Sequence, residues 1–202
     1  MEFILDFGSG NTCQNDKKYV EKMVSAVADL RSDDKKDVII KWQLFEKAEP
    51  NIPLKHDVFE YAYNLGQKYG FKTTASVFDK KSLKFLEGFD VPFIKIACRK
   101  ELYKLAEDVK GKVYMSVPEM PKDKKYTYLC CVPEYPASRF EYYGRFMPEH
   151  LEAGISDHTV GWKMFTRFQP KIYEKHFILE RTPGNPDVGG FSVTPKELKG
   201  II

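Results

Sequence analysis

The sequence predicts an α/β fold: a compact (β/α)8 barrel of the TIM type, with some crossover helices shortened or missing. Three observations carry this expectation. Eight apolar runs of strand length alternate with segments of helical periodicity nearly from end to end. Polar residues recur where those runs end, the face on which such a barrel gathers its reactive groups. The competitor, an open doubly wound sheet, calls for a Gly-rich phosphate turn, and Gly8-Ser9-Gly10 lacks both the third glycine and the helix-opening context. The 202 residues suit one domain spanning 1–202, small against the usual ~250 for this fold.

Each element has a local reason. Glu2 to Phe7 reads as the first strand and Lys17 to Leu30 as the first helix, whose stripe is Tyr19, Val20, Met23, Val24, Val27 and Leu30. Asp37 to Gln43 is the second strand, followed by a helix from His56 to Tyr69. Phe71 to Ser76 and a helix from Lys80 to Glu87 form the third unit, and Pro92 to Ala97 with Lys100 to Val109 the fourth. Lys112 to Ser116 is strand five. Pro118, Pro121 and a Lys/Asp cluster then leave a loop in place of a helix. Tyr126 to Val132 is strand six, with a weakly helical connection from Arg139 to Phe146. Gly154 to Asp157 is strand seven, Val160 to Phe168 a short helix, and Lys171 to Phe177 strand eight. Thr194-Pro195-Lys196-Glu197 opens a last helix with a Thr cap, Pro at the first position and Glu three residues on.

Composition excludes several classes. Hydrophobic residues make up 43% and charged residues 30%, an ordinary globular balance. A net charge of +3, with Lys35-Lys36, Lys80-Lys81 and Lys122 to Lys125 short and scattered, argues against nucleic acid. No apolar run approaches the ~18 residues that span a bilayer, and Met1 to Leu5 leads straight into a strand without a signal peptide. Cys13, Cys98, Cys130 and Cys131 form no CxxC motif. Adjacent Cys130 and Cys131 should face opposite sides of a strand, and a reduced cytoplasmic protein is expected.

The strand ends supply the chemistry. Asp6 ends strand one, Lys41 and Gln43 strand two, Ser76 strand three, Lys95 and Cys98 strand four, and Ser116 strand five. Glu134 and Tyr135 lie just past strand six, Ser156 and His158 at strand seven, and Lys175 and His176 at strand eight. Two neutral imidazoles from adjacent strands, His158 and His176, can hold one divalent ion. Lys41, Lys95 and Lys175, with only Asp6 and Glu174 as nearby acids, are expected to leave a surplus of positive charge inside the barrel. A phosphate ester is the natural occupant.

These residues resemble the N-acetylneuraminate (sialic acid) synthases, phosphoenolpyruvate-dependent condensing enzymes that make 2-keto sugar acids. The matching runs are Ile40-Lys41-Trp42-Gln43, Ala75-Ser76-Val77-Phe78-Asp79, Val91 to Ala97, Glu134-Tyr135-Pro136, Gly154-Ile155-Ser156-Asp157-His158-Thr159, Glu174-Lys175-His176-Phe177 and Pro186-Asp187, in the family's order. The resemblance implies a Mn²⁺ or Mg²⁺ ion on His158 and His176 that polarises the aldehyde of an open-chain amino sugar. It implies anion-binding roles for Lys41, Lys95 and Lys175, and phosphoenolpyruvate-supporting hydroxyls at Ser76, Ser116 and Ser156. Asp6 stands where the family has Glu and would orient or activate the attacking groups, together with Tyr135, while Gln43, Tyr135 and Asp187 line the sugar side. The implied partners are phosphoenolpyruvate and an aldose. An oligomer formed through barrel helices, a homodimer for instance, stays open.

The match departs from the family in three places. Cys98 and Lys100 stand where the family has Ser and Glu, a charge reversal on the sugar side that suggests an anionic acceptor. Pro133 replaces a polar residue, and the sequence ends at Ile202 without the family's antifreeze-like domain. Two alternatives therefore accompany the condensing enzyme: a condensing enzyme for a different aldose, and a barrel that binds phosphoenolpyruvate or a phosphorylated sugar without turnover, as a regulatory or degenerate homologue.

Overall fold

The computed structural model describes residues 1–31, 37–47, 49–146 and 153–202. The strands β1 (Glu2–Asp6), β2 (Asp37–Leu44), β3 (Lys72–Val77), β4 (Ile94–Ile96), β5 (Val113–Val117), β6 (Thr127–Cys131), β7 (Gly154–Asp157) and β8 (Ile172–Phe177) pair in sequence order, all parallel. Pairing of β1 with β8, from Glu2↔Ile172 to Asp6↔His176, closes the cylinder. The (β/α)8 barrel predicted from sequence is the fold. No helix among the described residues is long and apolar enough to cross a membrane.

The connecting helices are α1 (Gly10–Cys13), α2 (Lys17–Ala28), α3 (His56–Lys68), α4 (Lys80–Leu86), α5 (Arg139–Arg145), α6 (Lys163–Phe168) and α7 (Pro195–Leu198). β5 runs to β6 through turns, as Pro118 and Pro121 required. The crossover after β4 is helical but tighter than expected, a 3-10 helix over Lys100–Asp108. Its apolar residues Leu102, Leu105 and Ala106 are buried at three- and four-residue spacing, which either helix type would satisfy.

Three small elements escaped the sequence reading. α1 opens at Gly10 with Ser9 as its cap, so Gly8-Ser9-Gly10 does start a helix, one too short to announce itself by periodicity. A 3-10 turn at Pro186–Val188 leads to β9 (Ser192–Val193), which pairs with β8 at His176↔Ser192 and Phe177↔Val193. The reciprocal box at Thr194 and Glu197 is present and caps α7. The Lys35-Lys36 cluster lies outside the described residues.

Alternation along the strands separates two cores. Phe3, Leu5, Ile40, Trp42, Cys130, Ile155 and Tyr173 face outward and pack against helices in one large cluster. Ile4, Ile39, Phe93, Tyr114, Leu129 and Ile172 face inward and plug the lower barrel, with Phe93 and Tyr114 stacked at 3.8 Å. Gly154 is a glycine because this plug leaves it no room: a Cβ there would lie 2.6 Å from Leu129 and 3.0 Å from Ile172. The next inward layer up is polar, and it forms the floor of the site.

Candidate active site

A cavity of about 480 Å³ opens at the carboxyl ends of the strands. Asp6, Lys41, Gln43, Ser76, Lys95, Ser116, Tyr135, Ser156, His158 and His176, ten of the side chains singled out from sequence, line it together. Asp187 sits at the rim, its Oδ1 3.6 Å from His176 Nδ1 and its Oδ2 accepting from Thr12 at 2.6 Å. This close approach is why residue 8 is glycine, at φ +71°: a Cβ there would lie 2.2 Å from Thr12 Oγ1 and 2.7 Å from Asp187 Oδ2.

Lys175 is the exception. It points away from the cavity, donating to Asp157 Oδ2 at 2.9 Å and to the Thr159 carbonyl at 2.5 Å on the outer face of the barrel. The expectation that it faces an anion beside His176 is therefore corrected, and the cause is strand geometry. Adjacent strand residues face opposite ways, so His176 inward forces Lys175 outward and brings Glu174 inward. The expected surplus of ammonium groups falls with it, since the floor holds Lys41 and Lys95 against Asp6 and Glu174.

These four side chains form an open ring of ion pairs in the order Asp6, Lys41, Glu174, Lys95. Lys41 Nζ lies 2.8 Å from Asp6 Oδ2 and 3.4 Å from Glu174 Oε1, and donates to Ser76 Oγ at 3.0 Å. Lys95 Nζ reaches Ser116 Oγ at 2.6 Å, the Ile96 carbonyl at 3.2 Å and Glu174 Oε2 at 3.5 Å. Ser156 Oγ donates to Glu174 Oε1 at 3.4 Å, and Gln43 Nε2 to Asp6 Oδ2 at 2.8 Å. Burial disfavours every charge here, but the outcomes differ. For Asp6, the Lys41 ammonium and then His176 outweigh burial and hold the carboxyl well below its usual range. For Lys41, Asp6 and Glu174 outweigh burial and raise the ammonium above its ordinary value. For Lys95, burial wins over Glu174 and the pKa is lowered. Lys95 is thus the charge on the floor that its neighbours compensate least.

Above the ring the two imidazoles converge, ring centroids 5.5 Å apart. His158 Nδ1 lies 2.7 Å from the Val132 carbonyl. A carbonyl can only accept, so Nδ1 carries the proton and Nε2 keeps its lone pair. Burial first, then the neighbouring His176, drives the His158 pKa well below its usual value and keeps the ring neutral, the form that ligates metals. His176 Nδ1 is buried without a hydrogen-bond partner, within 3.6 Å of both Asp6 Oδ2 and Asp187 Oδ1. Tyr135 stacks on His158 at 4.0 Å and stands edge-on to His176 at 5.6 Å, 55% exposed at the mouth. Among the described residues no group of three or more His, Cys, Asp or Glu is arranged to hold a metal ion. Two imidazoles are the donors present above the floor, His158 with its Nε2 lone pair free, and an ion on them would take its other ligands from substrate and water.

Sequence reasoning missed three contributors. Glu174 was visible as an acid but not as the hinge of the ring; its two-residue spacing from His176 was the available signal. Cys131 lines the cavity with its thiol 3.9 Å from His158 Nδ1, as the opposite facing of Cys130 and Cys131 implied. Arg99, 5.7 Å over the Phe78 ring, lines the mouth on the side where the reading pointed to Lys100, which is exposed and outside the lining. Nothing in the spacing distinguished 99 from 100, because the chain leaves the strand there.

Similarity agrees with the geometry. The profile described as the NeuB family matches residues 13–202. By structure, the chain is similar to an N-acetylneuraminic acid (sialic acid) synthetase from Leptospira borgpetersenii, solved in complex with citrate (TM-score 0.73, 22% identity, covering 98% of this chain and 79% of that one). It is also similar to a putative spore coat polysaccharide biosynthesis protein E from Chromobacterium violaceum (0.74, 16%, 98% and 71%). A truncated 3-deoxy-D-arabino-heptulosonate 7-phosphate synthase from Thermotoga maritima shares the fold more distantly (0.64, 12%, 98% and 83%). No curated protein matches the chain by sequence. The chain belongs to the NeuB family.

Proposed function

We propose that the chain condenses phosphoenolpyruvate with an open-chain aldose, an amino sugar by family resemblance, to give a 2-keto-3-deoxy sugar acid with release of phosphate. The observation that carries this reading is the stacking of two layers: a pair of imidazoles at 5.5 Å directly above a buried, open ring of two ammonium groups and two carboxylates. A divalent ion, Mn²⁺ or Mg²⁺, held by His158 and His176 would supply Lewis acidity to the aldehyde oxygen. The protein's own groups do the rest. Lys95, the undercompensated charge, and Lys41 face the phosphate and carboxylate of phosphoenolpyruvate, and Ser76, Ser116 and Ser156 add hydroxyl donors. C3 of phosphoenolpyruvate bonds to the aldehyde carbon, water adds at C2, and the C2–O bond to phosphate breaks. Asp6, kept ionised by Lys41 and held by Gln43, is placed to accept a hydrogen bond from the attacking water and orient it, while the proton leaves with the departing phosphate, a better base than so depressed a carboxylate. Tyr135 and Asp187 flank the acceptor beside the imidazoles. Lys175 takes no direct part.

Arg99 favours an acceptor carrying a negative group away from its aldehyde. Phosphate release from phosphoenolpyruvate with Mn²⁺ across a panel of aldoses tests both statements. Release should require an aldehyde acceptor, N-acetylmannosamine 6-phosphate should outperform the neutral sugar, and His158→Ala or His176→Ala should each lower turnover by more than about 100-fold. Tight binding by calorimetry without turnover on any aldose would instead mark a non-catalytic barrel.

A further inference from the structure

We propose that the Tyr142 hydroxyl is a positioning group that sets the tautomer and direction of the His158 imidazole, acting through the ends of β6 and β7 at once. The inference rests on the reading of His158 as a ligand only for its functional meaning; its geometry stands alone. Tyr142 comes from α5, on the outer side of the barrel, and is fully buried. Its hydroxyl donates to the Ser156 carbonyl at 2.6 Å and accepts from the Val132 and His158 amides, both at 3.2 Å. A hydroxyl has one proton and two lone pairs, so all three positions are taken and the group has no freedom left to rotate.

The location gives this saturation its consequence. The β6–β7 ladder stops at Cys131↔Ser156, and the hydroxyl takes up the Val132 amide just past β6 and the His158 amide just past β7, joining the two chains beyond the last rung. Holding the Val132 amide anchors the near side of that residue, whose carbonyl lies in the following peptide, toward Pro133, and accepts the His158 Nδ1 proton at 2.7 Å. Fixing the His158 amide fixes the backbone from which that imidazole springs. One oxygen therefore anchors the backbone of both residues joined by the hydrogen bond that leaves the Nε2 lone pair to the cavity. The Cys131 thiol, at 3.9 Å from the same Nδ1, is a weaker competitor that would gain influence if the carbonyl turned. Outer groups that orient a ligating imidazole in this way are worth about 10- to 100-fold in metal affinity.

The test is Tyr142→Phe, with Tyr63→Phe as a control that loses a comparable hydroxyl (its bond to the Asp90 carbonyl, 2.9 Å) far from the site. Two measurements are made: imidazole ¹⁵N spectra of the metal-free proteins, and Mn²⁺ affinity by calorimetry. The wild type and Tyr63→Phe should show His158 as a single Nδ1–H tautomer. Tyr142→Phe should show mixed tautomers and bind Mn²⁺ about 10- to 100-fold more weakly. A single Nδ1–H tautomer in Tyr142→Phe, or a loss in Tyr63→Phe equal to that in Tyr142→Phe, overturns the inference. If Tyr142→Phe does not fold, the wild-type spectrum decides, since an Nε2–H or mixed signal also overturns it. Failure of the wild type to bind Mn²⁺ would count against the proposed condensation, while the tautomer spectra would still judge Tyr142.

Discussion

Strand β8 carries a buried ion system on each face, and the two differ in one instructive way. Outward, Lys175 and Asp157 are sealed: the ammonium bonds to the carboxylate at 2.9 Å and to a carbonyl at 2.5 Å, Tyr173 donates to the same carboxylate oxygen, and the Thr159 amide takes the other at 2.7 Å. Inward, Glu174 meets Lys41 and Lys95 only at 3.4 and 3.5 Å, and its Oε2 accepts no hydrogen bond. The chemical groups are alike, but one system has spent its hydrogen-bonding capacity on the protein and the other has kept some open toward a cavity. Saturation marks the outer pair as a fastening for the segment that bears His158. Loose geometry marks the inner ring as a place for a ligand.

The largest expected effect would break the outer system. Lys175→Met leaves the Asp157 carboxylate buried without its cation, which should cost about 3–5 kcal/mol in urea unfolding. The double variant Lys175→Met/Asp157→Asn removes the charge as well and should recover a substantial part of that loss, because removing both partners of a buried pair is cheaper than removing one. If the single variant cost less than about 1 kcal/mol, the outer pair could not be the fastening that its contacts describe.

The same two faces explain what was legible in advance. The barrel could be read because strand and helix periods alternate plainly, and most of the site because its residues fall at strand ends. Lys175 was misplaced because a motif, Glu-Lys-His, was read as a unit while a strand turns successive residues to opposite sides. Parity alone corrects it: Glu174 and His176 share a face with Ser156 and His158 across the β7–β8 register, Ser156↔Glu174. Arg99 was beyond reach for a different reason. It follows the last strand residue, where no period governs direction, and only the packing of its guanidinium over Phe78 decides where it points. The same holds for α1 and β9, too short to carry a pattern.

A smaller effect, in the opposite compartment, comes from pH. Burial would raise Asp6 and Glu174, but Lys41 in both cases, then His176 for Asp6 and Lys95 for Glu174, lower them below their ordinary 3.8 and 4.5. Folded values below unfolded ones mean that their contribution to stability is fully present above those ordinary values and is lost as pH falls through the depressed folded values. Wild type should therefore lose stability below about pH 4.5 more steeply than Asp6→Asn, in urea melts taken from pH 7 to pH 3. Parallel curves for the two proteins would mean that the inner ring is not the charged system described.

The smallest stability effect should come from the residue with the largest role toward a ligand. Burial lowers the pKa of Lys95 as it lowers that of Lys175, so what separates the two lysines is the carboxylate that each would leave behind. Lys95→Met leaves Glu174 with Lys41 and Ser156, so unfolding free energy at pH 7 should change by no more than about 1 kcal/mol. The difference should then move with pH in a fixed direction. A lysine with a depressed folded pKa binds fewer protons folded than unfolded as pH approaches 10.5, so wild-type stability gains relative to Lys95→Met as pH rises. Lys41 has the opposite sign but is common to both proteins and cancels. Phosphoenolpyruvate binding, by contrast, should fall by about 100-fold or more, the loss expected for one charge-assisted contact of about 3 kcal/mol. A variant that lost several kcal/mol of stability and kept its affinity would reverse the assignment, making Lys95 the fastening and the outer face of β8 no different in kind from the inner.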